Sequence, residues 1–482
     1  MRLTATLFLI TILLFCASPV SAQQKWDLKR CVDFALLNNV SVKQQDVQAR
    51  IAALTLNQNK LSRLPSASLS SNAGINSGRS IDPTSNQFTN QQLFFSGISF
   101  STNVNVFNWF SLQNNIKGNQ FDYEAAKANV EKLKNDIALN VATAYLLILV
   151  SKEQVNIAGV TVKQSMDNLY NTRKRVDAGA LPELNAAEAE AQLAKDSSNL
   201  ITAQTTLTQN ILQLKAVMNL DAALQFEVEM PPLDQIPVEK IANLQPEIVY
   251  QLALVNLPQQ RVNELRIKAA QRYVEAARGA MYPTLSVFGS MGSNYAHNKI
   301  PVVTQTPTGS FSNTGAKVNV GGTDYSVVAP VFQTSVGVKY SPFGTQLSDN
   351  FSQRIGLNLS IPLFNGSAAR TNWQRNRLNL ETWQLQKEQD NLTLKQNIYK
   401  SYSDAISSLQ KYEASKRSLE TAQKSYDFAQ KRYDIGLLAT IDLLTNQNNL
   451  ATAKVNVVSA QVDYVFRIKL LEFYRGQGIK LQ

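Results

Sequence analysis

The chain has few residues that interrupt or crosslink a backbone. Its 482 residues include only 15 prolines, 20 glycines, 2 cysteines and 1 histidine. Proline and glycine break helices and strands, so their scarcity predicts long uninterrupted elements. Cys16 lies in a segment that we expect to be removed, which leaves Cys31 alone. The mature chain can therefore form neither an internal disulfide nor a metal site built from several cysteines.

Little in the sequence could support catalysis. The single histidine, His297, has no cysteine or acidic cluster near it and is interpreted as a solvated loop residue. Cys31 shares an apolar helix stripe with Leu28 and Ala35, a position typical of a buried structural cysteine. The sequence contains no glycine-rich phosphate loop and no nucleophile elbow. We predict that the protein is not an enzyme and that it binds no cofactor or metal.

The positive charges are dispersed. The formal net charge is +11, and such a balance can indicate nucleic-acid binding. Nucleic-acid interfaces, however, need clusters of lysine and arginine with aromatic residues among them. Here the charges are spread along predicted helix faces, which argues against a nucleic-acid partner.

The first 22 residues have the pattern of a secretory signal. Arg2 supplies the positive start, an apolar stretch follows, and Val20-Ser21-Ala22 forms a small-residue cleavage site. Cys16 leaves lipidation as an alternative, although Phe15 stands where a lipoprotein signal has a small residue. The longest later apolar stretch, 137–150, is too short for a spanning helix. We expect an exported chain without a membrane helix.

A long internal repeat is the most specific feature of the sequence. "RVDAGALPELNAA" begins at 175 and "RYDIGLLATIDLL" begins at 432, an offset of 257. The same offset aligns Phe107 with Phe364 and Tyr145 with Tyr402, so the two halves differ by no insertion or deletion over this length. Upstream, Pro65 pairs with Pro283 at a different offset. We predict two structural repeats, 23–240 and 241–482, the second with a longer loop over 293–350.

Each half begins with a helix and two candidate strands. The first helix is predicted over about 27–63, because Pro65 disfavours helix at that point. In two later segments, apolar residues alternate with small polar ones: Phe94, Ile98, Phe100, Thr102, Val104 and Val106 in the first half, and Ile355, Leu357, Leu359, Ile361 and Leu363 in the second. This alternation is typical of a strand between lipid and water, and also of a half-buried strand in a soluble sheet.

Long helical segments follow, over 111–177 and 368–434. From Val141 onward an apolar residue recurs every seven positions beside a stripe of small residues, which predicts coiled-coil packing. Gly179 and Gly436 suit left-handed helix caps. Shorter helices are predicted after them, over 183–218 and 440–475.

The strand count predicts an oligomer. Four strands per chain cannot close a barrel, which needs about eight, and open sheet edges are not tolerated in lipid. Three copies would supply about twelve strands. The long helices would each reach about 100 Å at 1.5 Å per residue. We therefore predict an α+β membrane protein, a trimeric barrel of about twelve strands continued by an α-helical coiled-coil barrel.

Several motifs together resemble a known family. "WDLKRCVDFALLNN" (26–39), "SGRSIDPTSNQF" (77–88), "IPLFNG" (361–366) and the two RxDxG turns are similar to those of TolC-type outer-membrane efflux proteins of the Bacteroidota kind. The resemblance covers essentially the whole mature chain. It implies a homotrimeric channel in outer-membrane lipid that extends into the periplasm. It further implies a passive exit duct that works with a periplasmic adaptor (a membrane fusion protein) and an inner-membrane transporter of the RND or ABC type.

The resemblance also implies a periplasmic gate near the two turns. The family's gate tyrosine matches Tyr433, and its aspartate matches Asp442. Asn185 replaces a carboxylate, Leu438 an arginine and Thr445 a second acid, so most of the charged lock is missing. Tyr433 is expected to hydrogen-bond Asn185. The turns themselves, Gly179-Ala180-Leu181 and Gly436-Leu437-Leu438, are expected to contact the adaptor.

A second class of function fits part of the pattern. The coiled-coil segments alone are compatible with a non-conducting structural tether of the cell envelope. A tether needs no barrel, so the paired strands with lipid-type alternation favour the channel.

Overall fold

The computed structural model describes residues 25–477, apart from 82–85, 87, 91, 230–235, 237 and 298–299. The predicted signal segment and Cys16 lie outside the described residues. The chain divides into two units. One comprises Met1–Leu56, Lys117–Arg272 and Arg377–Gln482, and the other comprises Asn57–Ile116 and Tyr273–Asn376.

The described part of the chain is mainly helical. The helices are α1 (Leu28–Asn38), α2 (Val40–Leu61), α3 (Ser111–Asp177), α4 (Glu183–Met218), α5 (Pro246–Asn256), α6 (Pro258–Gly279), α7 (Phe343–Asp349), α8 (Ala368–Asp434) and α9 (Thr440–Tyr474). The strands are β1 (Ser66–Asn76), β2 (Arg79–Ile81), β3 (Phe88–Asn90), β4 (Leu93–Phe107), β5 (Thr284–Ala296), β6 (Ile300–Val320), β7 (Thr323–Lys339) and β8 (Ser352–Ser360).

The two long helices agree with the predicted ones. α3 and α8 contain 67 residues each, and their first residues, Ser111 and Ala368, are 257 positions apart. Glu183 and Thr440, which begin α4 and α9, keep the same offset. Both long helices extend without proline, and only Gly159 and Gly118 interrupt α3 with glycine.

The prediction of one continuous helix over about 27–63 is wrong, because the structure has two helices there, α1 and α2. Asn39 has an extended backbone that separates α1 from α2. Its side-chain oxygen accepts hydrogen bonds from the backbone N–H groups of Ser41 and Val42, and its amide donates to the Val217 carbonyl. An asparagine in this position caps the next helix and so favours the break. In the second half, Pro258 begins α6 directly after the extended Leu257.

The larger core cluster of the helical unit lies along the middle of α3, and a second cluster joins α5, α8 and α9. Val141, Tyr145, Ile148 and Leu149 are buried against α1, α4 and α9 in one hydrophobic cluster. This stretch makes α3 long and apolar enough to cross a membrane by length and composition, although the sequence predicted no such helix. Its burial in the cluster identifies it instead as the core face of a packed helix.

The main sheet has four antiparallel strands in the order β1-β4-β5-β8. The register places Leu69 with Phe100, Ile75 with Phe94 and Val287 with Leu357 on one face. This face is apolar, and Leu69, Ile75, Ile98, Ile355, Leu357 and Leu359 are exposed on it. Strands β1 and β8 form the two edges and pair with no further strand among the described residues.

The opposite face of the main sheet is polar. Ser68 pairs with Ser101 and Ser70 with Ser99 through hydroxyl contacts of 2.7 Å. Glycines stand beneath two aromatic rings on this face. A Cβ added to Gly74 would lie 2.8 Å from the Phe95 ring, and one added to Gly356 would lie 2.8 Å from the Phe288 ring.

The predicted loop over 293–350 contains regular structure. Its largest part is an antiparallel hairpin of β6 and β7, with irregularities in β6 between Pro307 and Phe311 and between Asn313 and Lys317. The short helix α7 follows. Prediction of a loop here was wrong because both strands are interrupted by proline and glycine and expose nearly all of their side chains.

Candidate functional site

The turns at Gly179 and Gly436 have the same backbone geometry. The two glycines have φ values of 74° and 79°. The N–H of Ala180 donates to the Arg175 carbonyl at 2.8 Å, and the N–H of Leu437 donates to the Arg432 carbonyl at 2.8 Å. With the bonds from the glycines to Val176 and Tyr433, each turn is a Schellman motif, which requires a left-handed residue that glycine adopts at low cost.

Side-chain contacts bring the two turns together. The hydroxyls of Thr172 on α3 and Tyr433 on α8 lie 2.9 Å apart. On the far side of the turns, the Asn185 amide of α4 donates to the Thr440 hydroxyl of α9 at 2.6 Å. The two repeats of the RxDxG motif therefore lie side by side at one end of the helical unit.

Tyr433 is held on several sides. It is 6 % exposed and packs with Ala429, Leu443 and the partly buried Leu438. The guanidinium of Arg175 lies 5.4 Å from its ring centroid and donates to its backbone carbonyl. Arginine over an aromatic face adds a cation–π attraction. Tyr433 is thus fixed to the end of α3 by a hydroxyl pair and an arginine.

The expected hydrogen bond between Tyr433 and Asn185 is not formed. Tyr433 lies in the last turn of α8, which faces α3, whereas Asn185 lies in the first turn of α4, which faces α9. Each residue therefore meets a threonine of its own neighbouring helix. Neither Thr172 nor Thr440 was singled out from the sequence as part of the site, because a threonine in a helix gives no distinguishing signal.

The other candidate gate residues differ in exposure. Asp442 is exposed in the first turn of α9, where the helix dipole favours a carboxylate. The N-cap position is Ala439, so Asp442 does not cap the helix from there. Thr445 is exposed, and its hydroxyl donates to the Ile441 carbonyl of its own helix. Leu438 is partly buried against Tyr433 and its neighbours, where an arginine would lose its hydration.

Apolar side chains surround the turns on their outer side. Leu437 is 65 % exposed, and Ile435 and Leu184 are comparably exposed. Ala180 is exposed and Leu181 is half-buried. Exposed apolar residues grouped in this way mark a contact surface more often than a solvated one.

A buried polar network lies about two to three helical turns further along the helices. Ser165 donates to the Asp196 carboxylate at 2.6 Å, and Gln447 donates to Ser165 at 2.9 Å. Gln192 bonds both Asp196 and Asn448. Asp196 and Asn448 also border a groove of about 380 Å³ between α3, α4 and α9. This network could not be predicted from the sequence, because residues of these types also make up a solvated helix face.

Cys31 and His297 are the two residues that the sequence analysis considered as a possible nucleophile or metal ligand. Cys31 is fully buried, and burial, with a smaller effect of Asp27 opposed by Arg30, raises the pKa of its thiol to about 12. The prediction of a buried structural cysteine is confirmed. His297 is exposed and stacks on Tyr340 with ring centroids 4.5 Å apart. Within the described ranges, no three His, Cys, Asp or Glu side chains are grouped so that they could hold a metal ion.

The comparisons with known proteins give the class of this chain. The family model of outer membrane efflux proteins matches residues 32–220 and 249–467. The chain therefore belongs to the outer membrane efflux protein family, as its motifs predicted.

Individual relatives are distant. Over 268 residues the chain is 22% identical to the probable outer membrane lipoprotein SilC of Salmonella typhimurium, and the match covers 55% of each protein. The chain thus spans about half the length of the curated relatives it matches.

Solved structures match over nearly the whole length. The fold is similar to that of CusC, with a TM-score of 0.74, 14% identity and coverage of 95% of this chain and 93% of that one. It is also similar to the Campylobacter jejuni CmeC outer membrane channel, with a TM-score of 0.73, 16% identity and coverage of 94% and 86%. These likenesses show the α+β fold with its four-stranded sheet.

Proposed function

We propose that this chain is the outer-membrane channel of a tripartite efflux or secretion system and acts as a passive exit duct from the periplasm to the exterior. The observation that carries the proposal is the main sheet. One of its faces is apolar and exposed, the other is lined with serine and asparagine, and its edges β1 and β8 are unpaired within the described chain. A face suited to lipid and a face suited to water are what a transmembrane barrel strand requires.

The open edges favour a homotrimer. Unpaired N–H and C=O groups are costly in lipid, so β1 of one copy must pair with β8 of the next. Three copies close a barrel of about twelve strands, a size that leaves an aqueous lumen. The equal offset of the paired helices supports descent of the two halves from one tandem repeat, with 23–240 and 241–482 as its members.

The helical unit would continue the duct into the periplasm. In this assignment the turns Gly179-Ala180-Leu181 and Gly436-Leu437-Leu438 meet the periplasmic adaptor, which explains the exposed apolar side chains around them. The adaptor would connect the duct to an inner-membrane transporter of the RND or ABC type. Membrane lipid is the remaining partner. The proposal involves no nucleic acid, no cofactor and no catalysis.

The gate would rest on neutral contacts. Tyr433, Asn185 and Leu438 would hold the entrance closed through hydrogen bonds and apolar packing, while Asp442 and Thr445 would face the passage. One Asp442 from each copy would form a ring of carboxylates, an arrangement that favours cations. The exposure of Asp442 supports this assignment.

Planar-bilayer recording of the purified mature protein tests the function. We expect stepwise cation-preferring conductance from a detergent-extracted oligomer that dissociates to monomers when heated in denaturing detergent. A water-soluble monomer, or an oligomer that inserts without conducting, would contradict the channel. The second result would favour the structural envelope tether.

A further inference from the structure

The hairpin of β6 and β7 has one apolar face that nothing in the described chain covers. The register places Val303 opposite Val336 and Pro307 opposite Phe332 on this face. We call it the hairpin face and define it by its exposed apolar side chains: Val303, Phe311, Val328, Phe332, Val336 and Val338. Gln305 and Thr334 form one polar pair within this face. Over the same stretch, the other side of the hairpin is more polar and carries Thr304, Thr306, Gln333 and Ser335 together with Val302 and Val331.

The hairpin cannot owe its stability to its own two strands. An isolated two-stranded hairpin is marginally stable in water, and three strands or a packed face are needed for independent stability. Its base is well anchored, because Tyr340 stacks on His297 and the Gln346 amide bonds the Ala296 carbonyl. Its strands beyond the base are exposed on both sides. The arrangement indicates that another surface covers the hairpin face in the working protein.

The edges of the hairpin are poorly suited to pairing with a further strand. Pro307 lies in β6 and Pro330 in β7, and each removes a backbone donor. Proline in sheets is confined to positions where no ladder partner is needed. Glycines with positive φ at Gly309 and Gly315 accompany the irregularities of β6, and such bulges also discourage edge pairing. The partner must therefore pack on a face and not along an edge.

We propose that the hairpin face packs against the same face of the hairpins of other copies of this chain. The inference rests on the proposed assembly, in which β8 pairs with a neighbouring copy. β8 begins at Ser352, shortly after the hairpin ends at Lys339, so copies joined at this edge bring their hairpins close together. The apolar side chains defined above are mutually compatible, and the charged Lys317 and Asp324 of the same side lie beyond them, nearer the turn.

The area of the hairpin face explains why the contact needs the barrel. A stable interface between free proteins buries roughly 800 Å² on each partner. The side chains of one hairpin face are too few to supply that area. Contact between hairpins is thus expected only where the barrel already holds the copies together, which makes it part of the trimer and not a route to free dimers.

Cysteine crosslinking tests the proposal with matched variants. Val336→Cys lies on the hairpin face, and Ser335→Cys, its neighbour in β7, lies on the opposite side. Phe332→Cys and Gln333→Cys form a second pair of the same kind. The native Cys31 is buried and provides little background. Each full-length variant is treated in outer-membrane vesicles with a short bismaleimide, and crosslinked dimers are measured on a denaturing gel.

We expect at least ten times more dimer from Val336→Cys and Phe332→Cys than from their controls. Equal crosslinking within each pair, in a protein that still forms the heat-labile oligomer, would overturn the hairpin contact and leave the channel proposal intact. Absence of the oligomer itself would overturn both.

Labelling with a water-soluble maleimide shows whether another copy of the chain, lipid or water covers the hairpin face. Protection of Val336→Cys together with crosslinking supports contact between copies. Protection without crosslinking means that lipid or another molecule covers the face, and rapid labelling means that water does. Either of the last two results overturns the proposal.

Discussion

The hydroxyl of Tyr433 lies 2.9 Å from that of Thr172 and joins the C-terminal ends of the two long helices. The pair is buried, so each hydroxyl would lose its partner without gaining water if the other were removed. The net contribution of such a bond is about 0.5–1.5 kcal/mol, and the cost of an unpaired buried hydroxyl is about 1–3 kcal/mol. In a symmetric assembly every copy would repeat the effect.

Removing either hydroxyl of this pair should loosen the closed entrance. We expect Tyr433→Phe and Thr172→Val each to raise closed-state conductance, and the double variant to add little to either single one, because both remove the same bond. Single-channel recording measures the effect. Thr421→Val is the control, since its exposed hydroxyl donates to the Arg417 carbonyl of its own helix. Unchanged conductance in both single variants would rule out a role for the pair in closure.

The bond between Asn185 and Thr440 should act independently of salt. Asn185→Ala removes a neutral contact of 2.6 Å, so we expect higher closed-state conductance at every ionic strength. Charged links would instead weaken with salt, since the Debye length is about 8 Å at physiological ionic strength. Recordings of wild type and variant across a salt series make the comparison. An entrance that opens in wild type through salt alone would contradict the neutral gate.

Asp442 should affect selectivity and not closure. Its carboxylate is exposed at the start of α9, so Asp442→Asn should leave the stability of the oligomer within about 0.5 kcal/mol of wild type. We expect the cation preference, measured as a reversal potential in a salt gradient, to fall towards zero while closed-state conductance stays constant. Asp434→Asn, an exposed acid on the other side of the turn, provides the comparison. If Asp434→Asn lost the cation preference as well, Asp442 would have no specific role in selectivity.

The backbone at Gly436 should be essential for the turn. A side chain at Gly436 meets no atom within 4 Å, yet its φ of 79° is unfavourable for one. Gly436→Val should therefore cost about 1–2 kcal/mol in the turn and impair export while oligomer insertion stays normal. Gly159→Val is the control, because that glycine is equally unobstructed and has no positive φ. If Gly436→Val is present at normal abundance and exports at the wild-type level, the turn does not take part in the contact with the adaptor.

The thiol of Cys31 should be inert in the folded protein. Its pKa is raised from 9.0 to about 12, so at pH 8 we expect negligible alkylation until the chain is denatured. The unfolded thiol loses its proton above about pH 9, while the folded one keeps it up to about pH 12. Stability should therefore fall as pH rises through this window, and Cys31→Ser should reduce the slope. Rapid labelling of native protein at pH 8 would contradict the burial.

The sequence predicted the elements that follow a regular period. The heptads from Val141 in α3 and from Ile398 in α8 predicted helix packing because every seventh residue faces a neighbouring helix. The period of two predicted β4 and β8 because most residues on one face of each strand are apolar, with few exceptions such as Ser96 and Gln353. The constant offset predicted the two turns, because both halves need a residue with positive φ at the same position, and Gly179 and Gly436 supply it.

The features that the sequence missed depend on long-range contacts. Asn39 caps α2 locally through Ser41 and Val42, but asparagine is common in this sequence, and the bond that holds it to Val217, 178 residues away, has no local signal. The network around Asp196 is assembled from α3, α4 and α9, each of which reads as an ordinary amphipathic helix. The hairpin of β6 and β7 was not predicted because its apolar residues change sides along the strands. Near the turn, Val318 and Tyr325 lie on the face opposite Val336, so no single alternation of apolar and polar residues extends along the hairpin.

The glycines beneath Phe95 and Phe288 have a consequence for how the sheet acquires its alignment. A slip of β1 by two residues would keep the apolar and polar faces correct, so alternation cannot reject it. It would, however, bring Asn72 or Asn76 to the place of Gly74, where even a Cβ lies 2.8 Å from the ring. Gly356 and Phe288 impose the same condition on β8. A misaligned strand would therefore require the Phe95 or Phe288 ring to turn away, so these contacts disfavour misalignments that hydrophobic patterning alone would accept.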